Sequence, residues 1–245
     1  MQNTISVSPV RIVKFLLTVT FLLLVFHMVA VTIGYVDPVP PESTRAVLVN
    51  NFYQQFHLAS KANMSTYFSS LLLGFASLLL YVIYKTETTK KANWLLLSLI
   101  FLFLSIDESS EIHENFAGPV GDKIRLHLHN TSMYLAWAWV IPYAAITIFV
   151  GLYFLRFTLQ LPRKTKNLFF LSGTIYVFAA LFLEFFEAHF EEKYGVNNSY
   201  NEFLYPCEET LEMVGIILFI YALLDYLSQR SKNIPLSFVI RWHHK

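Results

Sequence analysis

The stretch NWLLLSLIFLFLSIDESSEIHEN, residues 93–115, passes from an apolar run into a group of carboxylates without a break. The apolar run suits a helix that crosses a bilayer, which needs about 20 predominantly apolar residues. Four carboxylates then follow with no Lys or Arg among them: Asp107, Glu108, Glu111 and Glu114. The stretch therefore predicts a membrane-spanning helix that ends in a polar site.

The composition of the whole chain supports a membrane protein. Of the 245 residues, 55% are hydrophobic and only 14% are charged, whereas a soluble domain carries about 25% charged residues. The formal net charge of +1 gives no indication of a nucleic-acid partner. The single cysteine, Cys207, excludes an internal disulfide and a zinc site built from cysteines, and is interpreted as a packing residue at a helix start.

The predicted fold class is all-α, a polytopic membrane bundle of six transmembrane helices in one domain, residues 1–245. The spans are placed at about 12–34, 64–84, 94–113, 130–155, 167–190 and 207–228. Thirteen of the 18 Lys and Arg residues fall on one side of these spans, which predicts that both termini are cytoplasmic. The predicted location is the cell (inner) membrane, with the acidic end of the bundle facing the periplasm or exterior.

The long connection after the first span is predicted to carry a helix in the membrane interface at 43–60. Apolar residues among polar neighbours indicate it: Val47, Phe52, Phe56 and Leu58. Asn63 then reads as the N-cap region of the second span. This connection is interpreted as a simple link, with a lid over the outer site as the alternative. His27 and His57 stand alone in the sequence and are interpreted as structural.

Three acidic stretches contain eleven of the 17 Asp and Glu residues. They end the third and fifth spans and begin the sixth. At about 100° per residue, helical periodicity aligns Asp107, Glu111 and Glu114, then Glu184, Glu187 and Glu191, then Glu208 and Glu212. The rise of 1.5 Å per residue places Asp107 about 21 Å into an apolar core roughly 30 Å thick. We therefore expect three acidic walls that face one another.

Carboxylates at this depth need compensation, because a charge there costs at least ~2.5–3.5 kcal/mol unless it faces the bundle interior or water. Basic partners, shared protons or a bound cation can provide it, and basic residues are few on this side. The predicted metal ligands are Asp107, Glu111, Glu184, Glu187, Glu208 and Glu212, with His127 and His129 from the loop before span four. The ligand types fit a divalent metal ion, namely Zn, Fe, Mn or Ca.

The leading functional hypothesis is a metal-binding membrane protein, with a metal-dependent hydrolase or oxidoreductase acting on a lipid or another membrane-soluble substrate as its enzymatic form. Glu108 and His113 are the candidate acid and base groups on metal-bound water. The alternatives are a cation or proton transporter or channel, and a non-catalytic membrane subunit or scaffold. A homo-oligomer and a complex with a membrane partner are both compatible with the sequence. The Glu-x-x-His pairs of di-iron bundles do not occur in this sequence.

Three stretches together resemble a known but uncharacterised group of prokaryotic multi-pass membrane proteins. They are KANMSTYFSSLLLG before span two, FLFLSIDESSEIHE in span three and EETLEMVGIILFIYALLDYL in span six. The group carries Asp-Glu-x₄-His-Glu and Glu-Glu-x-x-Glu-Met signatures, which occur here at 107–114 and 208–213. The resemblance implies a multi-pass membrane fold and supports the choice of acidic residues, but it implies no reaction.

Overall fold

The computed structural model describes residues 8–36, 43–112, 140–195 and 198–230. Regular structure within these ranges is entirely helical, which confirms the all-α class. The helices are α1 (Pro9–Val36), α2 (Thr44–Phe56), α3 (Met64–Thr86), α4 (Lys91–Ser110), α5 (Val140–Leu159), α6 (Arg163–Val177), α7 (Glu184–Tyr194) and α8 (Ser199–Arg230). A π-helical segment, Phe178–Leu183, joins α6 directly to α7.

The described residues include five helical stretches that are long and apolar enough to cross a bilayer. They are Pro9–Ile33, Met64–Thr86, Lys91–Ser110, Arg163–Tyr194 and Ser199–Arg230, and α5 adds a shorter apolar helix, Tyr143–Leu159. Many large apolar side chains on their outer faces are exposed, among them Phe15, Leu71 and Phe149. Such extensive apolar surface marks contact with a membrane. The chain therefore has the character of a multi-pass membrane protein, while the count of six spans and their orientation stay predictions.

Several span boundaries differ from those predicted. Residues 130–139 of the predicted fourth span lie outside the described residues, and α5 continues to Leu159. The third span ends at Ser110, because Glu111 adopts the left-handed conformation (φ 52°, ψ 38°) that ends an α-helix. The last helix begins at Ser199, so Cys207 lies about two turns inside α8 rather than at its start. Its first turn, SYNE, is polar, and hydropathy alone does not detect it.

The core forms where α3 packs against α4 and α8, with α6 and α1 also packed on α8. Its most deeply buried apolar side chains include Leu73, Leu80, Ile83, Trp94, Met213, Ile217, Ile220 and Leu223. Two pairs of serines join α3 to α4 through reciprocal hydrogen bonds. Ser70 and Ser105 each donate to the other's carbonyl oxygen, at 2.7 and 2.8 Å, as do Ser77 and Ser98, at 2.7 and 2.9 Å. Small polar residues of this kind bring membrane helices close together.

A buried carboxylate connects α3 to α8 at the end of the bundle where both helices end. Glu87 is only 3% exposed. Its Oε1 accepts a hydrogen bond of 2.7 Å from the Tyr226 hydroxyl and pairs with Nε of Arg230 at 3.0 Å. The charge of this carboxylate is thus compensated within the protein.

The connection between α1 and α3 contains a helix, as predicted from its sequence. The observed α2 runs from Thr44 to Phe56, within the predicted segment 43–60. The Asn63 side chain accepts a hydrogen bond of 2.9 Å from the Thr66 backbone N–H and caps α3. Prediction of Asn63 as the N-cap is confirmed.

Candidate functional site

A cavity of about 620 Å³ lies at the end of the bundle where α3 begins and α4 ends. Its wall is built from the linker Leu58–Lys61, the start of α3, the end of α4, the start of α5, the region from Tyr176 to Glu191, and the start of α8. These segments are far apart in the sequence, and helix packing brings them to one end of the molecule. The size is typical of a ligand-binding cavity.

Carboxylic side chains dominate the polar part of this wall, and we name it the acidic cavity. Nine of them line it: Asp107, Glu108, Glu111, Glu184, Glu187, Glu191, Glu208, Glu209 and Glu212. Among the lining residues, which all belong to the described ranges, Lys61 is the only Lys or Arg. Three tyrosines, Tyr143, Tyr176 and Tyr205, add hydroxyl groups to the wall. All six carboxylates predicted as metal ligands, together with Glu108, therefore surround one space.

The carboxylates of α7 line the cavity because their helical spacing places them on one face. Glu184, Glu187 and Glu191 recur at three- and four-residue intervals, so they lie on one face of the helix. The π-helical turn directly before them contributes Ala180 and Leu181 to the same wall. A π-helical turn shifts the phase of the residues that follow it, and such turns are frequent at functional sites.

The carboxylates at the end of α4 line the cavity, but their arrangement differs from the predicted stripe. Asp107 lies within the helix and is 5% exposed. Glu111 lies beyond the helix in the left-handed conformation, and its Oε2 pairs with Nζ of Lys61 at 3.2 Å. The predicted alignment of Asp107 and Glu111 on a continuous helix is therefore wrong, although both residues line the cavity. Glu114 lies outside the described residues.

The start of α8 supplies the third wall. Asn198 caps this helix by accepting a hydrogen bond of 2.9 Å from the Asn201 backbone N–H. Glu208, Glu209 and Glu212 then line the cavity, and Glu209 Oε2 accepts a hydrogen bond of 3.4 Å from the Ser65 hydroxyl of α3. The cavity wall is thus tied to α3 as well as to α8.

Glu187 contributes a buried carboxyl group to the cavity wall. It is 6% exposed, and among the described residues its Oε1 has no hydrogen-bond partner. The Glu187 and Glu208 side chains approach each other closely enough for a hydrogen bond if one of them carries a proton. A buried acceptor with no donor is costly, so this position favours a proton or a cation between the two groups.

The described residues do not form a closed metal site. Within them, no group of three or more His, Cys, Asp or Glu side chains is arranged to hold a metal ion. The predicted ligands His127 and His129, and the predicted acid/base residue His113, lie outside the described residues. Their assignment stays a prediction, as does that of the six carboxylates and Glu108.

Sequence reasoning missed a pair of histidines beside the cavity. His27 of α1 and His57 at the end of α2 are buried, with ring centroids 5.0 Å apart. Nδ1 of His27 accepts a hydrogen bond of 3.2 Å from the Leu58 backbone N–H. Nε2 of His57 lies 3.5 Å from Oε2 of Glu202 on α8. These contacts hold the linker Leu58–Lys61, which lines the cavity, against α1 and α8, and no sequence signal relates residues so far apart.

Two further carboxylates of the cavity are not among the predicted metal ligands. Glu191 belongs to the stripe of Glu184 and Glu187, and Glu209 stands beside Glu208 in the Glu-Glu-x-x-Glu-Met signature. Both line the cavity.

Comparison with known proteins gives one family and no function. Residues 15–227 match a family described as a domain of unknown function (DUF8692). No curated protein and no solved structure matches the chain. The match covers most of the chain, which is consistent with an uncharacterised group.

Proposed function

This chain belongs to the DUF8692 family, and we propose that it is an integral membrane protein that binds a divalent metal ion in the acidic cavity. The observation that carries the proposal is the convergence of nine carboxylic side chains on one cavity whose lining includes a single basic residue, Lys61, among the described residues. The proposed activity is chemistry on a lipid or another membrane-soluble substrate at this end of the bundle.

Charge balance supports a bound cation. Lys61 can compensate one carboxylate, and its ammonium group already pairs with Glu111. Glu187, Glu208 and Glu212 line the same cavity, and they are not all expected to be ionised in a partly desolvated space, since like charges at short range repel one another. Protons or a cation between these three groups would remove the repulsion. A divalent ion would relieve the repulsion without protonating the ligands.

The donor set fits hard divalent cations. The proposed ligand atoms are carboxylate oxygens of residues that line the cavity, with tyrosine hydroxyls beside them, and oxygen-rich sets suit Ca²⁺ and Mn²⁺. Addition of His127 or His129 would shift the preference toward Zn²⁺ or Fe²⁺. Glu187 and Glu208 already lie close together and would hold the ion, and Glu184 and Glu212 line the same cavity. Their flexible side chains would move inward around it.

The lining residues also include a group that can move protons. Glu108 lies next to Asp107 on the cavity wall, and in the proposed reaction it accepts or donates a proton at the substrate. His113 is proposed for the same role. When bound, the metal ion would supply a Lewis acid and lower the cost of deprotonating water. The phenols of Tyr143, Tyr176 and Tyr205 can orient a polar head group by donating hydrogen bonds.

The test is elemental analysis of the full chain purified without chelators, with titration of Mn²⁺, Ca²⁺, Zn²⁺ and Fe²⁺ into metal-free protein. We expect one or two metal ions per chain in the wild type and loss of this metal in Glu212→Gln and Glu187→Gln. Glu192→Gln is the matched control, because Glu192 is exposed and does not line the cavity. Wild-type protein that neither retains nor binds any of these ions would refute the proposal. Full metal retention by Glu212→Gln would remove Glu212 from the ligand set.

Transport of a cation through the bundle is less well supported. The described core on the other side of the cavity is packed with apolar side chains, including Leu73, Leu80, Ile217 and Ile220. Within the described residues, no acidic side chain of α8 lies between Glu212 and Asp225. We therefore expect no flux of Mn²⁺, Ca²⁺ or protons in liposomes that contain the purified protein.

A further inference from the structure

A second pocket lies at the opposite end of the bundle, between the start of α4 and the end of α5. Its volume is about 290 Å³, and its wall consists of Lys90, Asn93, Tyr153, Arg156, Phe157 and Gln160. All of these side chains except Phe157 can donate a hydrogen bond, and none is acidic. We name it the basic pocket.

The two cations of the basic pocket are not neutralised by the described part of the chain. Lys90 and Arg156 are exposed, and no described acidic side chain forms an ion pair with either. The nearest acidic residue in sequence, Glu87, is already paired with Arg230 and Tyr226. The pocket therefore presents two positive charges that can attract an anion.

The start of α4 adds to this preference for an anion. Lys90 is the N-cap residue, its side chain makes no capping hydrogen bond, and the first turn of α4 contains no acidic residue. The first backbone N–H groups of a helix lack partners within the helix, and the helix dipole is positive at this end. Negative charge is stabilised there, although this feature alone would not define a site.

The surroundings of the pocket favour a lipid over a soluble anion as its ligand. α4 and α5 continue from it into the apolar part of the bundle with exposed side chains on their outer faces, namely Leu96, Leu99, Leu152 and Leu155. The pocket lies at the ends of these two helices, and the ends of helices that span a bilayer lie where phospholipid head groups meet the apolar core. A ligand with an anionic head and apolar chains would contact both surfaces at once.

We propose that the basic pocket binds the phosphodiester head group of an anionic phospholipid, whose acyl chains lie along the exposed faces of α4 and α5. Lys90 and Arg156 pair with the phosphate, and the guanidinium group can do so with two hydrogen bonds. Asn93 and Gln160 donate to the remaining head-group oxygens. Basic pockets between membrane helices are known to bind anionic lipids in this way. The site is separate from the acidic cavity and does not depend on its function.

The experiment is native mass spectrometry of the full chain, delipidated in detergent and given equal amounts of phosphatidylglycerol and phosphatidylcholine. We expect at least one phosphatidylglycerol to remain bound preferentially. Arg156→Gln and Lys90→Gln should each weaken this binding about fivefold, since a basic side chain near the head groups contributes ~1 kcal/mol. A competition arm adds glycerol 3-phosphate, which carries the phosphate without the acyl chains and should not displace the lipid.

The matched control is Arg163→Gln. It removes the same charge three residues after Gln160 in the sequence, but Arg163 does not line the pocket, so phosphatidylglycerol binding should be unchanged. Equal retention of the two lipids would overturn the proposal, and so would an equal loss of binding in Arg163→Gln, which would indicate a general surface charge effect. Displacement by glycerol 3-phosphate would assign the pocket to a soluble phosphate instead.

Discussion

At the scale of single residues, Glu187 carries the strongest indication of a ligand. A buried carboxylate oxygen without a hydrogen-bond donor is energetically unfavourable when no ligand is bound. The same oxygen is available to a cation. Glutamine has nearly the same shape as glutamate but no charge. The substitution Glu187→Gln therefore separates the cost of the charge from the packing of the side chain.

We predict that metal-free Glu187→Gln protein unfolds at no lower temperature than metal-free wild type, because glutamine keeps the shape of the side chain and needs neither a proton nor a cation beside Glu208. The same variant should bind divalent metal at least tenfold more weakly. Thermal unfolding in detergent and metal titration measure the two effects, and Glu192→Gln should change neither. A clear loss of stability in the metal-free variant would mean that the Glu187 carboxylate is already compensated within the protein.

At the scale of helices, the close approach of α6 and α8 positions one wall of the acidic cavity. A Cβ atom built on Gly215 of α8 would lie 3.0 Å from the backbone nitrogen of Tyr176 and 3.2 Å from the carbonyl oxygen of Ser172. These are backbone atoms of a packed helix, so they cannot move away without shifting α6. Tyr176 lines the cavity, and the packing of two helices is therefore linked to the shape of the site.

We predict that Gly215→Ala lowers the free energy of unfolding by about 1–3 kcal/mol, the usual cost of overpacking. It should also weaken metal binding, since Tyr176 and the residues after it would move. Gly173→Ala on α6 is the control, because a Cβ atom there meets nothing within 4 Å, and an added methyl group favours a helix. Equal stability of the two variants would show that α6 and α8 tolerate a wider separation.

At the scale of the whole molecule, the two ends of the bundle have opposite chemistry. The acidic cavity lies where α3 begins and α4 ends, and the basic pocket lies where α4 begins and α5 ends. The packed apolar core separates them. This polarity fits a membrane protein whose two surfaces meet different surroundings.

We predict that a divalent metal at about 100 times its Kd raises the free energy of unfolding by ~2.7 kcal/mol, because it binds the folded chain only. Binding should also release protons, since carboxyl groups that hold protons in the metal-free protein must give them up to become ligands. A thermal ramp and a pH-sensitive dye in weak buffer measure the two effects. Stabilisation without proton release would mean that the carboxylates are already ionised in the metal-free cavity.

Helical structure and the acidic segments could be predicted because both depend on local sequence. Long apolar runs predict membrane helices, and the spacing of Glu184, Glu187 and Glu191 predicts a common face. The predicted helix boundaries were less accurate, because hydropathy detects neither the polar start of α8 nor the left-handed conformation of Glu111. Glu111 still lines the cavity, although no helical repeat places it there.

The sequence by itself determined that the chain forms apolar membrane helices and that three of its segments concentrate carboxylates. Only the tertiary structure decided that these segments surround one cavity, that Lys61 pairs with Glu111, and that His27 holds the linker beside it. Hydropathy and periodicity arise from neighbours along the chain. The contacts that shape the cavity join residues from different helices, and they exist only once α3, α4 and α8 have packed together.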